Sequence, residues 1–154
     1  MASGSTWTSL PILSSTEAGL GHGGGEGEEQ VRSITRASGT TNGLSNSNIL
    51  YAGIDVVGTW RSIDDGVTWT KNPDNGLYAK GIQSLKVDPT NPAIVYARGA
   101  ITTSYVNGGG MASLQPLEGV YRSVDSGTNW TQVASIPNLE EFDLNWLFFI
   151  LAGR

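Results

Sequence analysis

The chain has 154 residues, a formal net charge of −5 and no cysteine. The lack of cysteine excludes a disulfide framework and a thiolate metal site, and an acidic chain with nine scattered basic residues argues against a nucleic-acid partner. Glycine is abundant, at 21 residues, and charge is sparse, at 15%, which suits strands, turns and loops rather than long surface helices.

The chain opens with MASGSTWTSL, which has neither a basic segment nor an apolar run, so no signal peptide is visible. STWTSLPI (about 5–12) is the first predicted strand. A glycine-rich loop follows, GHGGGEGEEQ, carrying His22, the only histidine, and the acidic cluster Glu26, Glu28 and Glu29. A solvated acidic loop and a weak calcium site are both compatible with that cluster; nothing in these residues calls for a cofactor.

From residue 31 the pattern becomes regular. VRSIT, ILYAGID, GTWRSID and TWTKN form one group of four short runs rich in β-branched and aromatic residues, over about 31–72. IQSLKVD, AIVYARG, GVYRSVD and NWTQVAS form a second, over about 82–135. The two groups are copies. VGTWRSIDDGVTWT (57–70) aligns with EGVYRSVDSGTNWT (118–131) at one offset of 61 residues, and NILYAGID (48–55) aligns with AIVYARGA (93–100) at 45. The offset changes because ITTSYVNGGGMASLQPL (101–117) lengthens one loop of the second copy.

Four antiparallel strands per copy, repeated along the chain, predict an all-β fold: a partial β-propeller of four-stranded blades. Trp7 precedes Trp69 by 62 residues, so the first strand resembles the last strand of a copy and is placed to close a ring. The tail LEEFDLNWLFFILAGR begins a further blade at about 139–152. Its apolar run, 146–152, is too short for a bilayer, which needs about 20 residues. Two complete blades fall short of the four or more of a ring. The expectation is one propeller domain over 1–154 that is truncated, a fragment of a longer chain carrying the remaining blades, or a subunit that completes a ring with other copies.

Each copy carries S-x-D-x-G-x-x-W, the Asp box: Ser62, Asp64, Gly66 and Trp69, then Ser123, Asp125, Gly127 and Trp130. The spacing fits a hairpin turn in which the carboxylate accepts backbone N–H groups. Glycine supplies a positive φ there, and the tryptophan packs between blades. Residues equivalent by repeat lie in different blades, so Asp64 and Asp125 are read as structural rather than as a catalytic pair, and Arg61 and Arg122 likewise. Asp55 is different. Its counterpart in the second copy is Ala100, so it breaks the repeat. It is the candidate catalytic residue, with a turn-forming role as the alternative.

WTSLPI (7–12), GHGGGEGEEQVRSIT (21–35), NILYAGIDVVGTWRS (48–62) and VDPTNPAIVYA (87–97) together resemble the N-terminal part of the glycoside hydrolase family 74 xyloglucanases. The resemblance runs from about residue 7 to residue 136; sortilin-type receptors and photosystem II assembly factors share the blade motif. It implies two propellers facing a cleft, inverting hydrolysis of a polysaccharide such as xyloglucan, and an extracellular setting. The family's general base maps onto Asp55, although Ile54 and Val57 stand where that family usually has threonine and glycine. Inversion needs a second carboxyl about 6.5–9.5 Å away, and the sequence offers no clear general acid. A propeller that binds protein or carbohydrate through its loops is the alternative; a sialidase lacks its Tyr–Glu and arginine constellation here.

Overall fold

The computed structural model describes residues 31–41, 44–54, 57–79, 81–100 and 117–135. The strands are β1 (Val31–Arg36), β2 (Thr40–Thr41), β3 (Leu44–Ser45), β4 (Leu50–Ile54), β5 (Gly58–Ser62), β6 (Thr70–Lys71), β7 (Gly81–Val87), β8 (Val95–Ala100), β9 (Gly119–Ser123) and β10 (Thr131–Ser135). Among the described residues no helix is long and apolar enough to cross a membrane. The strand expected at 5–12, the loop with His22, Glu26, Glu28 and Glu29, residues 101–116 of the insertion, and the run at 139–152 lie outside the described residues, as does Asp55.

The fold is all-β. Two four-stranded antiparallel sheets, ordered β1-β4-β5-β6 and β7-β8-β9-β10, each run through their strands in chain order, as the blades of a propeller do. The registers repeat as well as the order: Leu50 pairs with Ser62 in the first sheet, and Val95 with Ser123 in the second. β1 and β7 carry the same bulge, the pairing skipping from Val31 to Ser33 and from Ile82 to Ser84.

The last strand of each sheet starts later than the apolar pattern suggests, at Thr70 and Thr131. Thr68 and Asn129 bond to the aspartate of the preceding turn, and Trp69 and Trp130 bond to its glycine, so those residues belong to the turn. The small hairpin of β2 and β3 was not expected, although the sequence between the two strands, Asn42-Gly43, is a strong two-residue turn signal.

One core cluster joins the sheets. Tyr51 of β4 packs with Leu77 and Ala79 of the connecting segment and with Ile82, Leu85, Val95, Ala97, Tyr121 and Trp130. A smaller one, Ala52, Ile54, Val57 and Trp60, lies within the first sheet. The first strand of the second sheet is the part that seats on the first: a methyl group added to Gly53 would collide with Ile82. Leu85 N–H donates to Ser33 Oγ at 3.0 Å. The Tyr51 hydroxyl donates to the Pro92 carbonyl at 2.9 Å, tying β4 to the turn before β8.

Candidate functional site

The two S-x-D-x-G-x-x-W segments form turns with the same wiring. Ser62 Oγ donates to Asp64 Oδ1 at 2.8 Å and accepts Gly66 N–H at 2.8 Å. Ser123 Oγ donates to Asp125 Oδ1 at 2.8 Å and accepts Gly127 N–H at 2.9 Å. Asp64 Oδ1 accepts Thr68 N–H at 2.8 Å, and Oδ2 accepts the Thr68 hydroxyl at 2.6 Å. At Asp125 the same two oxygens accept Asn129 N–H at 2.9 Å and the Asn129 side-chain amide at 2.7 Å. Trp69 and Trp130 each donate their indole N–H to the turn glycine's carbonyl at 3.0 Å.

The backbone explains the residue types. Gly66 and Gly127 have φ of 87° and 90°, a region that L side chains resist. The preceding residues, Asp65 and Ser126, are left-handed too, at 62° and 63°. Asp and Ser tolerate this better than branched residues. Each also donates its N–H to the turn that precedes the second strand of its sheet, to Asn48 O and Ala93 O, both at 2.9 Å.

Electrostatics follow from the bonding. The Thr68 hydroxyl and amide, with Ser62, hold the Asp64 carboxyl below its ordinary range. Asn129, through its amide and then its side chain, does the same for Asp125. Charge-assisted bonds of this kind favour the carboxylate. Neither group is kept protonated for acid catalysis, and each serves its own turn in its own sheet.

The turn tryptophans differ in their packing. Trp130 is buried in the cluster that spans both sheets, whereas Trp69 is half-buried against the smaller cluster of the first sheet. Arg61 lies over the Tyr51 ring and Arg122 over the Tyr96 ring, each 5.9 Å from the centroid, so these two arginines occupy equivalent places.

Asp55 lies outside the described residues; in the sequence it falls between β4 and β5, whose ends are paired through Ile54 and Gly58. Its flanking Ile54 and Val57 are buried together with Ala52 and Trp60. The aspartates that are described are all engaged. Asp65 pairs with Arg36. Asp88 accepts Thr90 N–H at 2.8 Å and Asn91 N–H at 3.1 Å within its own turn. Among the described residues no group of three or more His, Cys, Asp and Glu could hold a metal ion.

The residue that sequence reasoning missed is Asp74, in the segment joining the sheets. It is buried, with φ of 53°, and accepts Thr59 N–H at 2.9 Å, the Thr59 hydroxyl and the Lys71 ammonium. Asn72 beside it donates to Thr59 Oγ1 at 3.0 Å. Asn75 N–H donates to Thr128 O at 3.0 Å, and Trp130 N–H to Asn75 O at 2.7 Å, so the same segment is strapped to the second turn. Its only sequence signal was Lys71 three residues before an aspartate in N-P-D-N-G, which reads as an ordinary loop.

No protein-family model and no curated protein matches the chain. Among solved structures it is similar to an ancestral GH74 enzyme, with 18% identity and a TM-score of 0.42 over 69% of this chain and 13% of that one. It is also similar to the GH74 xyloglucanase from Xanthomonas campestris, with 22% identity and a TM-score of 0.39 over 59% and 14% of the two chains. The chain therefore spans only a small part of the length of these enzymes.

Proposed function

We propose that the two sheets are consecutive blades of an Asp-box propeller from a glycoside hydrolase-like protein acting on β-1,4-glucans such as xyloglucan. The observation that carries the scaffold reading is the identical wiring of the two S-x-D-x-G-x-x-W turns in successive four-stranded sheets. Both aspartates accept bonds on both oxygens within their turns, so they hold blades rather than attack sugars. The hydrolase reading is supported by the N-terminal pattern of residues 7–62 and by Asp55, the aspartate that departs from the repeat.

In this reading Asp55 activates the water that attacks the anomeric carbon. The acid that protonates the leaving oxygen comes from blades facing it across a cleft. The 154 residues alone then bind a glucan without cutting it. Reducing-sugar release from xyloglucan and from unsubstituted β-1,4-glucan tests this, on the chain alone and on a protein that supplies the facing half of the cleft. The chain alone should release nothing. In the complete cleft, Asp55→Ala should cut turnover by several orders of magnitude while leaving folding unchanged, since an inverting enzyme has no substitute base. Robust turnover by the 154 residues, or full activity of Asp55→Ala, overturns the assignment.

A second reading, a non-enzymatic propeller binding protein or carbohydrate through its loops, is favoured by one observation. Every aspartate among the described residues is already engaged within the fold. Retention on a xyloglucan gel, with no hydrolysis from either protein, supports it.

A further inference from the structure

We propose that Asp74, together with Lys71 and Asn72, is a positioning group that fixes the end of β5 where the β4–β5 connection returns to the sheet. The catalytic consequence rests on the hydrolase reading, which puts Asp55 in that connection. The fixing of the strand end is independent of it.

The connection returns to the sheet at Gly58 and Thr59, the first two residues of β5. Thr59 is fully buried, and its polar groups are all tied to residues 72–74. Its amide donates to Asp74 Oδ2 at 2.9 Å, and its hydroxyl donates to Asp74 Oδ1. That hydroxyl also accepts the Asn72 side-chain amide at 3.0 Å, and the Thr59 carbonyl accepts Asn72 N–H at 3.0 Å. The Lys71 ammonium donates to Asp74 Oδ2 and, at 2.8 Å, to the Asn72 carbonyl. Gly58 lies close over the same carboxylate: a methyl group on it would collide with Asp74 Oδ2. A buried polar network joined at this many points holds a single geometry.

The second sheet shows that a blade can form without it. At the repeat offset, Val120, Gln132, Val133 and Ser135 stand in place of Thr59, Lys71, Asn72 and Asp74. There the last strand stays in the ladder: β10 runs to Ser135, which pairs with Gly119, and Val120 is buried. In the first sheet β6 ends at Lys71, and Pro73 has no N–H to carry the ladder on. The Asp74 carboxylate takes the Thr59 amide instead. Buried charge is weak evidence for stability, because apolar residues commonly serve as well. A charged network that replaces the ladder in this sheet and not in the other points to precision at the strand end it holds. Asp55, the other departure from the repeat, falls in the sequence between Ile54 and Gly58, whose pairing closes beside that strand end.

Asp74 touches no substrate in this proposal; it acts through Thr59. A general base works only when held within hydrogen-bond reach of its water, and a small displacement is costly in rate.

Amide exchange read by NMR on the 154-residue chain tests the fixing, and kinetics in the complete cleft test its consequence. Asp74→Asn keeps one acceptor. It should speed exchange at Val57 and Gly58 at least about tenfold more than at Tyr51 and Ala52 of β4. In the complete cleft it should lower kcat at least about tenfold with KM little changed. Leu85→Ala, which weakens the fold elsewhere, should leave kcat unchanged well below its melting temperature. Thr59→Ser keeps the hydroxyl and should retain slow exchange and full kcat. Thr59→Val, the residue the second sheet has there, should lose both, and it reads the same network should Asp74→Asn fail to fold. Exchange that rises evenly along β4 and β5 in both variants overturns the proposal, as does an unchanged kcat in both. Should the complete cleft cut no glucan, the hydrolase reading fails, and the exchange pattern alone upholds or overturns the fixing of the strand end.

Discussion

Asp64 and Asp125 commit both carboxylate oxygens to donors within their own turns, and this fixes when they contribute to stability. Both are held below the ordinary carboxylate range, Asp64 first by the Thr68 hydroxyl and Asp125 first by the Asn129 amide. A depressed pKa in the folded state means that the unfolded chain takes up protons first as pH falls. The stabilisation is therefore fully present above the unfolded value, about 4, and is lost as pH drops through the depressed folded values. Melting temperature should fall below pH of about 4, by a modest amount because solvent screens these exposed carboxylates. Asp64→Asn with Asp125→Asn should lower it at neutral pH and flatten the fall in that acid window. A residual slope should remain. Burial draws the Asp88 carboxyl upward, yet bonds from Thr90 and Asn91 outweigh this and hold it low, so it titrates in the same window. An unchanged pH profile in the double variant would show that these bonds contribute little to folding.

At the scale of elements, the strands and turns were legible and the connection between the sheets was not. β-branched and aromatic residues between turn signals mark β4, β5, β8 and β9; β8 alternates buried with half-buried positions, whereas β4, β5 and β9 are buried almost throughout. The turn motif was legible because serine, aspartate and glycine each meet a separate local demand. Asp74 was not, since its partners Thr59 and Lys71 are brought to it by the pairing of β5 with β6, and no local spacing announces that. Asp55 stood out through a comparison of repeat copies and through the family resemblance, not through local spacing, and residues 55 and 56 lie outside the described residues. Asp74 carries a testable consequence. Removing its carboxylate strands the Thr59 amide and the half-buried Lys71 ammonium. Asp74→Ala should cost about 3 kcal/mol, read as a shift of the denaturation midpoint. Asp74→Asn, which keeps one acceptor, should cost less. Equal losses from the two would show that the carboxylate charge, rather than the acceptor geometry, holds the segment.

At the scale of the whole molecule, the question is whether two sheets make one cooperative unit. The larger cluster takes Tyr51 from the first sheet and most of its other members from the second. The Tyr51 hydroxyl reaches Pro92, the Leu85 amide reaches Ser33, and burial raises the Tyr51 phenol above its usual range. Contacts this continuous leave neither sheet able to open without exposing the core of the other. Leu85 lies at the centre of that contact, buried beside Gly53 of the first sheet. Leu85→Ala should destabilise the chain by about 2–5 kcal/mol through lost burial and the cavity left behind. The loss should appear equally in both sheets, because they unfold together. Native-state hydrogen exchange separates the alternatives: the slow amides of β4 and β5 should lose the same protection free energy as those of β8 and β9. Protection lost only in β7 to β10 would mean that each sheet is its own folding unit. A shared loss makes the seat of β7 on the first sheet the joint that couples the two described sheets.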